Sequence, residues 1–444
     1  MAKTTNELRD VADAAVRTAL KKGAAQASGR AYRVREVQVT WRDGKLEKIH
    51  EATTRGVGVS LYVDGRYSTA SSSDLRPEAL ETFIGDAVTL TKTLARDPFR
   101  SLPDPKLYEG QAAVDLKLED PKYAAVTPEE RRRIVKEIEA AARSVKGSDA
   151  IISVTTDFSD TLAESWRVAS NGFSGGQRGT TFYASAQVSV KEADGRKPED
   201  YAYAGARFFG ELPDAASVGR EASERTIRSI GSKKVESAVL TMVLENRSAG
   251  RMAAFLQGPL SGASIQQKRS FYEGKLGQAI GSPLLTVTDD PLLAKGFGSR
   301  LFDGEGLAAR AMPVFEAGVL RNYFIDTYYG KKLGVAPTTG GMSNARWALG
   351  TKGRAELVKG VEDGIFVTSF LGGNSNGTTG DFSLGVRGFR IRKGELAEPV
   401  SEMNISGNHL EFWKRLVAVG NDPYPYSTSR TPTLVFDGVQ FAGV

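Results

Sequence analysis

The chain has 444 residues, of which 40% are hydrophobic and 25% charged, as in a globular protein long enough for two or three domains. It contains no cysteine, which excludes disulfides, thiolate metal ligands and cysteine nucleophiles. It has two histidines, His50 and His409, far apart in sequence, so a mechanism that needs a helical pair of histidines is excluded. The first residues, MAKTTNELRD, carry no apolar segment, and no apolar run is long enough to span a membrane. We therefore expect a cytoplasmic protein without a membrane partner.

The formal net charge of +6 raises nucleic acid as a partner. Basic and acidic residues are nevertheless interleaved along the chain, and even the densest cluster, EERRRIVKEIE at residues 129–139, mixes the two signs. A nucleic-acid-binding protein concentrates its positive charge on one face. We therefore do not expect a nucleic-acid partner.

A first domain is predicted over residues 1–96. A capping box at Thr4 opens a helix, and two runs of alternating apolar residues then turn at Asp43-Gly44 and at Asp64-Gly65. A second helix carries Pro77 in its first turn. The order of helix, two hairpins and helix predicts a two-layer α+β domain.

Residues 97–126 begin with a proline-rich stretch and are predicted to be a linker. A related middle α+β domain is predicted over residues 127–231, because a capping box at Thr127 and hairpin turns at Asn171-Gly172 and Asp194-Gly195 repeat the order of the first domain. The residues themselves barely repeat, so the similarity is one of architecture.

A third domain, large and β-rich, is predicted over residues 235–444, where the chain is strand-like and punctuated by glycine. Asn246 is expected to cap a short helix, and Asn408 a late helix over Leu410–Val419. The predicted fold class is therefore α+β, with two related α+β units followed by the β-rich domain.

Known catalytic patterns are matched poorly. The pattern Gly-x-Ser-x-Gly occurs at Ser174 and at Ser375, but neither match leads into a helix as a nucleophile elbow requires. No Ser-x-x-Lys, P-loop or dinucleotide fingerprint occurs. Asp289-Asp290 and Asp303 could hold Mg²⁺, but turn formation explains them more simply. Lone histidines such as those of this chain are usually structural.

The stretch GGNSNGTTGDFSLGVRGF at residues 372–389 stands out because glycine is frequent and polar groups recur between two strand-like runs. Its polar side chains could line a site. We expect Asp381 to support loop geometry, because a lone carboxylate has little means of activating water.

Several long stretches resemble the TldD/PmbA family. The most specific are NGTTGDFSLGVRGFRIRKGELAEPVSEMNISGN at residues 376–408 and RTPTLVFDGVQFAG at residues 430–443. Residues 302–334 and 44–71 are also similar, so the resemblance covers almost the whole chain. The family pairs two related subunits, TldD and TldE (also called PmbA), in a zinc-dependent protease that acts on unfolded peptides.

In TldD-type chains of this family, zinc is bound by an HExxxH helix and a later cysteine. This sequence departs from the TldD pattern at both places. Aligned on GKLGQ at residues 274–278, the motif falls on residues 253–258. Ala253 and Gly258 stand in place of the two histidines, and Ala254 stands in place of the glutamate base. The resemblance therefore implies a TldE/PmbA-like subunit that lacks the HExxxH motif, has no catalytic or metal-binding residue and binds no cofactor, while a TldD-like HExxxH partner carries the zinc.

The resemblance also implies that the glycine-rich stretch shapes a substrate cleft for unfolded peptides. The candidate cleft residues are Asn376, Thr379, Gly380, Asp381, Phe382 and Ser383. A core or dimer-interface loop is the alternative for this stretch. For the whole chain, the alternative is a non-catalytic regulatory homodimer that binds peptides or proteins, in keeping with the family's older association with DNA gyrase.

Overall fold

The computed structural model describes residues 2–444. Its first half alternates helices and long antiparallel strands. These elements are α1 (Ala2–Lys21), β1 (Gln26–Arg42), β2 (Lys45–Val63), β3 (Arg66–Ser72), α2 (Pro77–Thr91), α3 (Pro128–Arg143), β4 (Ile151–Ala169), β5 (Ser174–Val190), β6 (Glu199–Ala206) and α4 (Ala215–Arg228).

The predicted repeat of one helix, hairpin-linked strands and a second helix is confirmed, and its two copies share one sheet. The strand order is β3-β2-β1-β4-β5-β6, so the first strand of each copy lies at the centre. These two strands pair antiparallel from Ser28 opposite Ala169 to Arg42 opposite Thr155. The two predicted domains are therefore two halves of a single sheet.

The predicted two-layer arrangement is also confirmed. Ala31 and Val39 of β1 face the helices, as does Phe158 of β4, which pairs with Val39. Residues two apart on a strand share a face. Both helix pairs therefore cover the same face of the sheet, α1 and α2 on one half and α3 and α4 on the other.

The predicted hairpin turns form where the sequence places them. Asp43 and Gly44 have φ of 46° and 79°, and Asp64 and Gly65 have φ of 50° and 74°. Positive φ at both central residues is the conformation of a type I′ turn, which Asp-Gly favours.

The predicted linker, residues 97–126, is held more firmly than its composition suggests. Leu102 and Leu116 are buried. The Tyr328 hydroxyl donates to a carboxylate oxygen of Asp97 over 2.7 Å, and the Lys295 N–H donates to the Leu116 carbonyl over 2.8 Å. The segment therefore contacts the C-terminal part of the chain along its course.

A buried ion pair ties α3 to the sheet. The Arg131 guanidinium donates to both carboxylate oxygens of Asp160, over 2.6 and 3.1 Å, and to the Val126 carbonyl over 2.8 Å. Both charged side chains are at least 96% buried, since 4% and 0% of their surfaces are exposed. Loss of one partner would leave an uncompensated buried charge.

We expect Arg131→Met to lower the free energy of unfolding by about 3–5 kcal/mol, because the Asp160 carboxylate stays buried without its partner. Arg133 on the same helix is a matched control, because its ion pairs with Glu130 and Glu137 are exposed. Arg133→Met should cost less than about 1 kcal/mol. Urea unfolding measures both, and equal losses would contradict the assignment.

The second half is β-rich, as predicted. Its elements are β7 (Ala238–Leu244), α5 (Asn246–Gln257), α6 (Gly262–Gln266), β8 (Val287–Asp289), β9 (Met312–Glu316), β10 (Val319–Leu320), α7 (Thr327–Leu333), β11 (Ala345–Trp347), α8 (Arg354–Lys359), β12 (Asp363–Ser375), β13 (Asp381–Arg392), β14 (Glu395–Asn408), α9 (His409–Phe412), β15 (Leu416–Val419) and β16 (Leu434–Ala442).

The main C-terminal sheet closes on itself. Its order is β14-β13-β12-β7-β16-β15, and β14 also pairs with β16 through Asn404 and Ile405. A smaller sheet has the order β10-β9-β8-β11. The largest hydrophobic core of the described residues lies between these elements and α5.

Two local predictions in this half are wrong. The late helix over Leu410–Val419 is one short helix, α9, and a 3-10 turn, followed by strand β15. Leu416 and Val419 pair with β16. The β-branched Val417 and Val419 favour a strand over a helix. The N-cap position of α5 is Glu245 and not Asn246, and its side chain makes no capping hydrogen bond. Asn408 does cap α9 by accepting from the Leu410 N–H over 3.0 Å.

Over residues 2–444, the helices are too short or too polar to span a bilayer.

Candidate functional site

The predicted cleft residues lie at the turn between β12 and β13. The Asn376 N–H donates to the Asp381 carbonyl over 2.8 Å, and the Gly380 N–H donates to the Asn376 carbonyl over 2.8 Å. The Asn376 side-chain oxygen accepts from the N–H groups of Thr378 and Thr379, over 2.9 and 3.3 Å. Asn376 therefore closes the turn from within.

Asp381 ties this turn to the end of β14. Its carboxylate accepts from the Thr379 hydroxyl over 2.7 Å and from the Asn408 side-chain amide over 2.9 Å. These two donors, Thr379 first, hold the pKa of Asp381 below its usual value. The same amide donates to the Thr379 carbonyl over 2.8 Å. The carboxylate thus has a structural role, in agreement with the role expected for it.

Gly380 is required by this geometry. Its φ is +86°, a conformation that favours glycine, and a Cβ atom there would lie 3.1 Å from the side-chain oxygen of Asn408. A larger residue would therefore strain the turn and push away the amide that holds Asp381.

The last two candidates point in opposite directions. Ser383 is exposed and contacts Asn404. Phe382 is 4% exposed and lies in the core, so its side chain cannot line an open cleft. The six candidates therefore do not form one surface. Gly380 and Phe382 are buried, whereas the other four, Asn376, Thr379, Asp381 and Ser383, are exposed.

The structure brings together Ser375 and His409, which sequence analysis kept apart. The Ser375 hydroxyl lies 2.9 Å from His409 Nε2. The backbone N–H of His409 donates to the Gly380 carbonyl over 2.8 Å. These residues meet because the pairing of β13 with β14 places the start of α9 beside the turn. No local sequence signal could reveal this contact, since 34 residues separate the two.

The imidazole of His409 is enclosed by aromatic rings. It is 1% exposed, and the ring centroids of Phe382, Phe271 and Phe255 lie 4.9, 5.6 and 6.0 Å away. Burial disfavours the charged form and lowers the pKa of His409 to about 4. The side chain is therefore neutral at physiological pH.

The hydrogen bonds of His409 determine which nitrogen carries the proton. Nδ1 is buried and has no hydrogen-bond partner among residues 2–444. A buried N–H without an acceptor costs about 1–3 kcal/mol, so the proton belongs on Nε2, where it is donated to the Ser375 oxygen. An imidazole that donates to serine cannot act as its base. In this tautomer the pair does not have the hydrogen-bond direction of a catalytic dyad, despite the Gly-x-Ser-x-Gly pattern.

The helix that aligns with the HExxxH motif lies at the same corner. Pro259, just after α5, is 3.5 Å from the position of a Cβ atom on Gly377. The Arg251 guanidinium donates to the carbonyls of Phe370 and Gly372, over 3.1 and 2.9 Å. The turn and α5 therefore form one corner of the molecule.

We expect the free energy of unfolding to decrease as the pH is lowered, because His409 is buried in its neutral form. The unfolded imidazole has a pKa near 6.5, so the unfolded state binds more protons than the folded state between about pH 6.5 and 4. Between pH 7 and about pH 4.5, the wild type should lose about 2 kcal/mol more than His409→Gln, which keeps a donor but does not titrate. Urea unfolding at the two pH values measures this difference.

Ser375→Ala is the control, because it keeps the imidazole and should retain the pH dependence of the wild type. An identical pH dependence for the wild type and His409→Gln would show that His409 is not buried as a neutral ring.

Comparison with known proteins assigns the family. Domain models of the PmbA/TldA metallopeptidases match this chain in order: domain 1 at residues 27–91, the central domain at residues 121–230 and the C-terminal domain at residues 237–443. The chain therefore belongs to the TldD/PmbA family, and the predicted resemblance is confirmed.

Individual relatives match over nearly their full length. Metalloprotease PmbA of Escherichia coli O157:H7 is 29% identical over 98% of this chain and 97% of its own length. A Bacteroides thetaiotaomicron crystal structure, of a candidate modulator of DNA gyrase, has a TM-score of 0.96 at 40% identity and covers 99% of this chain and 100% of its own. TldE from Thermococcus kodakarensis shares the fold, with a TM-score of 0.86 at 18% identity over 98% of this chain and 100% of its own.

The matched domains are those of metallopeptidases, so the donor groups of this chain can be compared with those that zinc needs. Zinc sites in proteins use three or more ligands from Cys, His, Asp and Glu. Residues 2–444 contain no cluster of three such side chains placed to hold a metal. At the corner formed by α5 and the turn, Ala253 and Ala254 offer no side-chain ligand and His409 is a single enclosed imidazole. These residues do not fit zinc.

Proposed function

We propose that this chain is a metal-free, TldE/PmbA-like subunit of a heterodimeric zinc metallopeptidase that acts on unfolded peptides. The observation that supports this best is the combination of a family-length match with a donor set that cannot complete a zinc site. Hydrolysis is assigned to a TldD-like HExxxH partner. This chain shapes part of the substrate cleft and supports the active subunit.

The cleft role is assigned to the turn between β12 and β13. Asn376, Thr378 and Thr379 are exposed there, and Asp381 and Asn408 fix the backbone that presents them. Glycines on either side, such as Gly373 with φ of +90°, let the main chain approach another strand closely. A surface of this kind recognises main chain more than side chains, which suits unfolded substrates.

We expect this chain, expressed with a tag in its native cell, to co-purify with an HExxxH chain in near-equal amount. The complex should digest an unstructured peptide, and a chelator should abolish the digestion, because the metal lies in the partner. Pull-down followed by peptide digestion with and without chelator measures both. Absence of an HExxxH chain from the pull-down would contradict the proposal.

The complex carrying Asp381→Asn in this subunit is the control for the cleft. Its turnover should be retained, because the amide oxygen that replaces one carboxylate oxygen still accepts from Asn408, and the amide NH2 that replaces the other can donate to the Thr379 hydroxyl. Loss of turnover with folding and assembly intact would instead make Asp381 part of the reaction.

A regulatory binding protein is the second candidate. It is favoured by the 40%-identical relative from Bacteroides thetaiotaomicron, which is described as a candidate modulator of DNA gyrase. This candidate predicts a homodimer that binds peptides or proteins and associates with no HExxxH chain. The pull-down described above separates the two candidates.

A further inference from the structure

One edge of the first sheet is free over part of its length. Strand β5 runs from Ser174 to Val190, but β6 pairs with it only from Phe182 to Ser189. Residues 174–181 therefore have β4 on one side and no strand on the other. The free edge faces away from β4 in the plane of the sheet.

Near the end of this free edge, the backbone groups of Thr180 are hydrogen-bonded by other parts of the chain. The Thr180 N–H donates to the Leu118 carbonyl over 2.9 Å, and the Thr180 carbonyl accepts from the Arg207 guanidinium over 3.2 Å. Backbone groups of an antiparallel strand alternate between its two edges, so Gly176 and Arg178 point the same way as Thr180. Within residues 2–444, the outward N–H and C=O of these two residues have no hydrogen-bond partner.

A cavity of about 650 Å³ lies against this unpaired edge. We call it the β5 groove and define it by residues 114–119, 176–178, Phe208, Leu301 and Phe302. Its apolar lining comes mainly from Val114, Leu116, Leu118, Phe208, Leu301 and Phe302.

The charges of the β5 groove balance one another. Arg178 pairs with Glu119 over 2.7 Å and also with Glu164. The lining adds one further acid, Asp115, and one further base, Lys117. The groove therefore has no charge preference that would select an ionic ligand.

We propose that the β5 groove binds an extended peptide with apolar side chains, which adds to β5 as a strand. Two unpaired N–H and C=O sets, two residues apart, match the repeat of an extended main chain. The apolar walls accommodate the peptide side chains that point toward them. The chain already places Leu118 at the next position of the same edge, so the peptide continues a main-chain interaction that exists at Thr180.

This inference goes beyond the proposed function, because it places peptide binding on this chain without any contribution from a partner. The two can fail separately. If the chain recruits no HExxxH partner but binds peptide in the β5 groove, only the proposed function fails. If the partner is recruited but the chain alone binds no peptide, only this inference fails.

The first test uses the full chain and a blocked, fluorescein-labelled octapeptide of alternating valine and serine, flanked by lysines for solubility. Two isomers carry N-methyl groups on alternate amides, one on the valines and the other on the serines. Only one edge of an added strand bonds to β5, so fluorescence anisotropy should show that one isomer binds like the parent peptide and the other at least about tenfold more weakly. Equal binding of both isomers, or no binding of the parent peptide, would overturn the proposal.

The second test changes the wall of the groove. Val114 is 45% exposed, so Val114→Asp should leave folding intact and weaken peptide binding about tenfold, because it places a charge against apolar peptide side chains. Val417 is 53% exposed and lies outside the groove, so Val417→Asp is a matched control that should bind like the wild type. Equal affinities of the two variants would place the peptide elsewhere.

The third test separates main-chain from side-chain recognition. Arg178→Pro and Arg178→Ala both remove the guanidinium, but only proline removes the outward N–H, which an edge strand tolerates. Arg178→Pro should bind the peptide at least about tenfold more weakly than Arg178→Ala. Equal affinities would exclude strand addition at this residue, and if the proline variant fails to fold, the N-methyl isomers still test the claim on the wild type.

Hydrogen exchange locates the bound peptide directly. Peptide should slow amide exchange at residues 174–179, whereas residues 45–55 of β2, a free edge without such a cavity, should exchange unchanged. Protection at residues 45–55 but not at residues 174–179 would overturn the proposal.

Discussion

The position of the C-terminal domain depends on two buried carboxylates that face arginines across the boundary with the first sheet. Glu245 accepts from the Arg225 guanidinium of α4 over 2.7 and 2.8 Å. Asp200 of β6 pairs with Arg247 over 3.0 Å and with Arg387 over 3.3 Å. Such pairs contribute little net stability, but removing one partner is costly, so they fix geometry more than they stabilise it. Because Glu245 directly precedes α5 at the N-cap position, the network orients the helix that borders the candidate cleft.

The shared sheet explains why the two related units act as one body. The central pair, β1 with β4, leaves each copy its own pair of helices and its own hydrophobic core on the same face. The other face also contacts the C-terminal domain, because Tyr183 stacks on Phe297 at 5.6 Å and Tyr203 contacts Tyr424 at 5.5 Å. One face of the repeat thus carries helices, and the other packs against the C-terminal domain. Because β6 is shorter than β5, part of the edge of β5 has no neighbouring strand.

The sequence was sufficient where structure is set locally and insufficient where distant segments meet. The turns at Asp43-Gly44 and Asp64-Gly65 follow from the backbone freedom of those residues, and they were predicted correctly. The contact of Ser375 with His409 depends on the register of β13 with β14, which no local pattern encodes. The late helix was wrong because pairing with β16 outweighed the cap at Asn408. For the candidate site, the sequence located the turn and the structural role of Asp381, but it could not show that Phe382 points into the core.

The central proposal is that this chain, a member of a metallopeptidase family, contributes surface and not metal chemistry. It rests on the replacement of the motif histidines by Ala253 and Gly258 and on the enclosure of His409 by aromatic rings. The most direct measurement is elemental analysis of the purified chain after incubation with zinc and removal of loosely bound metal. The account predicts far less than one zinc per chain and no cleavage of an unstructured peptide. Near-equimolar zinc together with chelator-sensitive cleavage by this chain alone would contradict it.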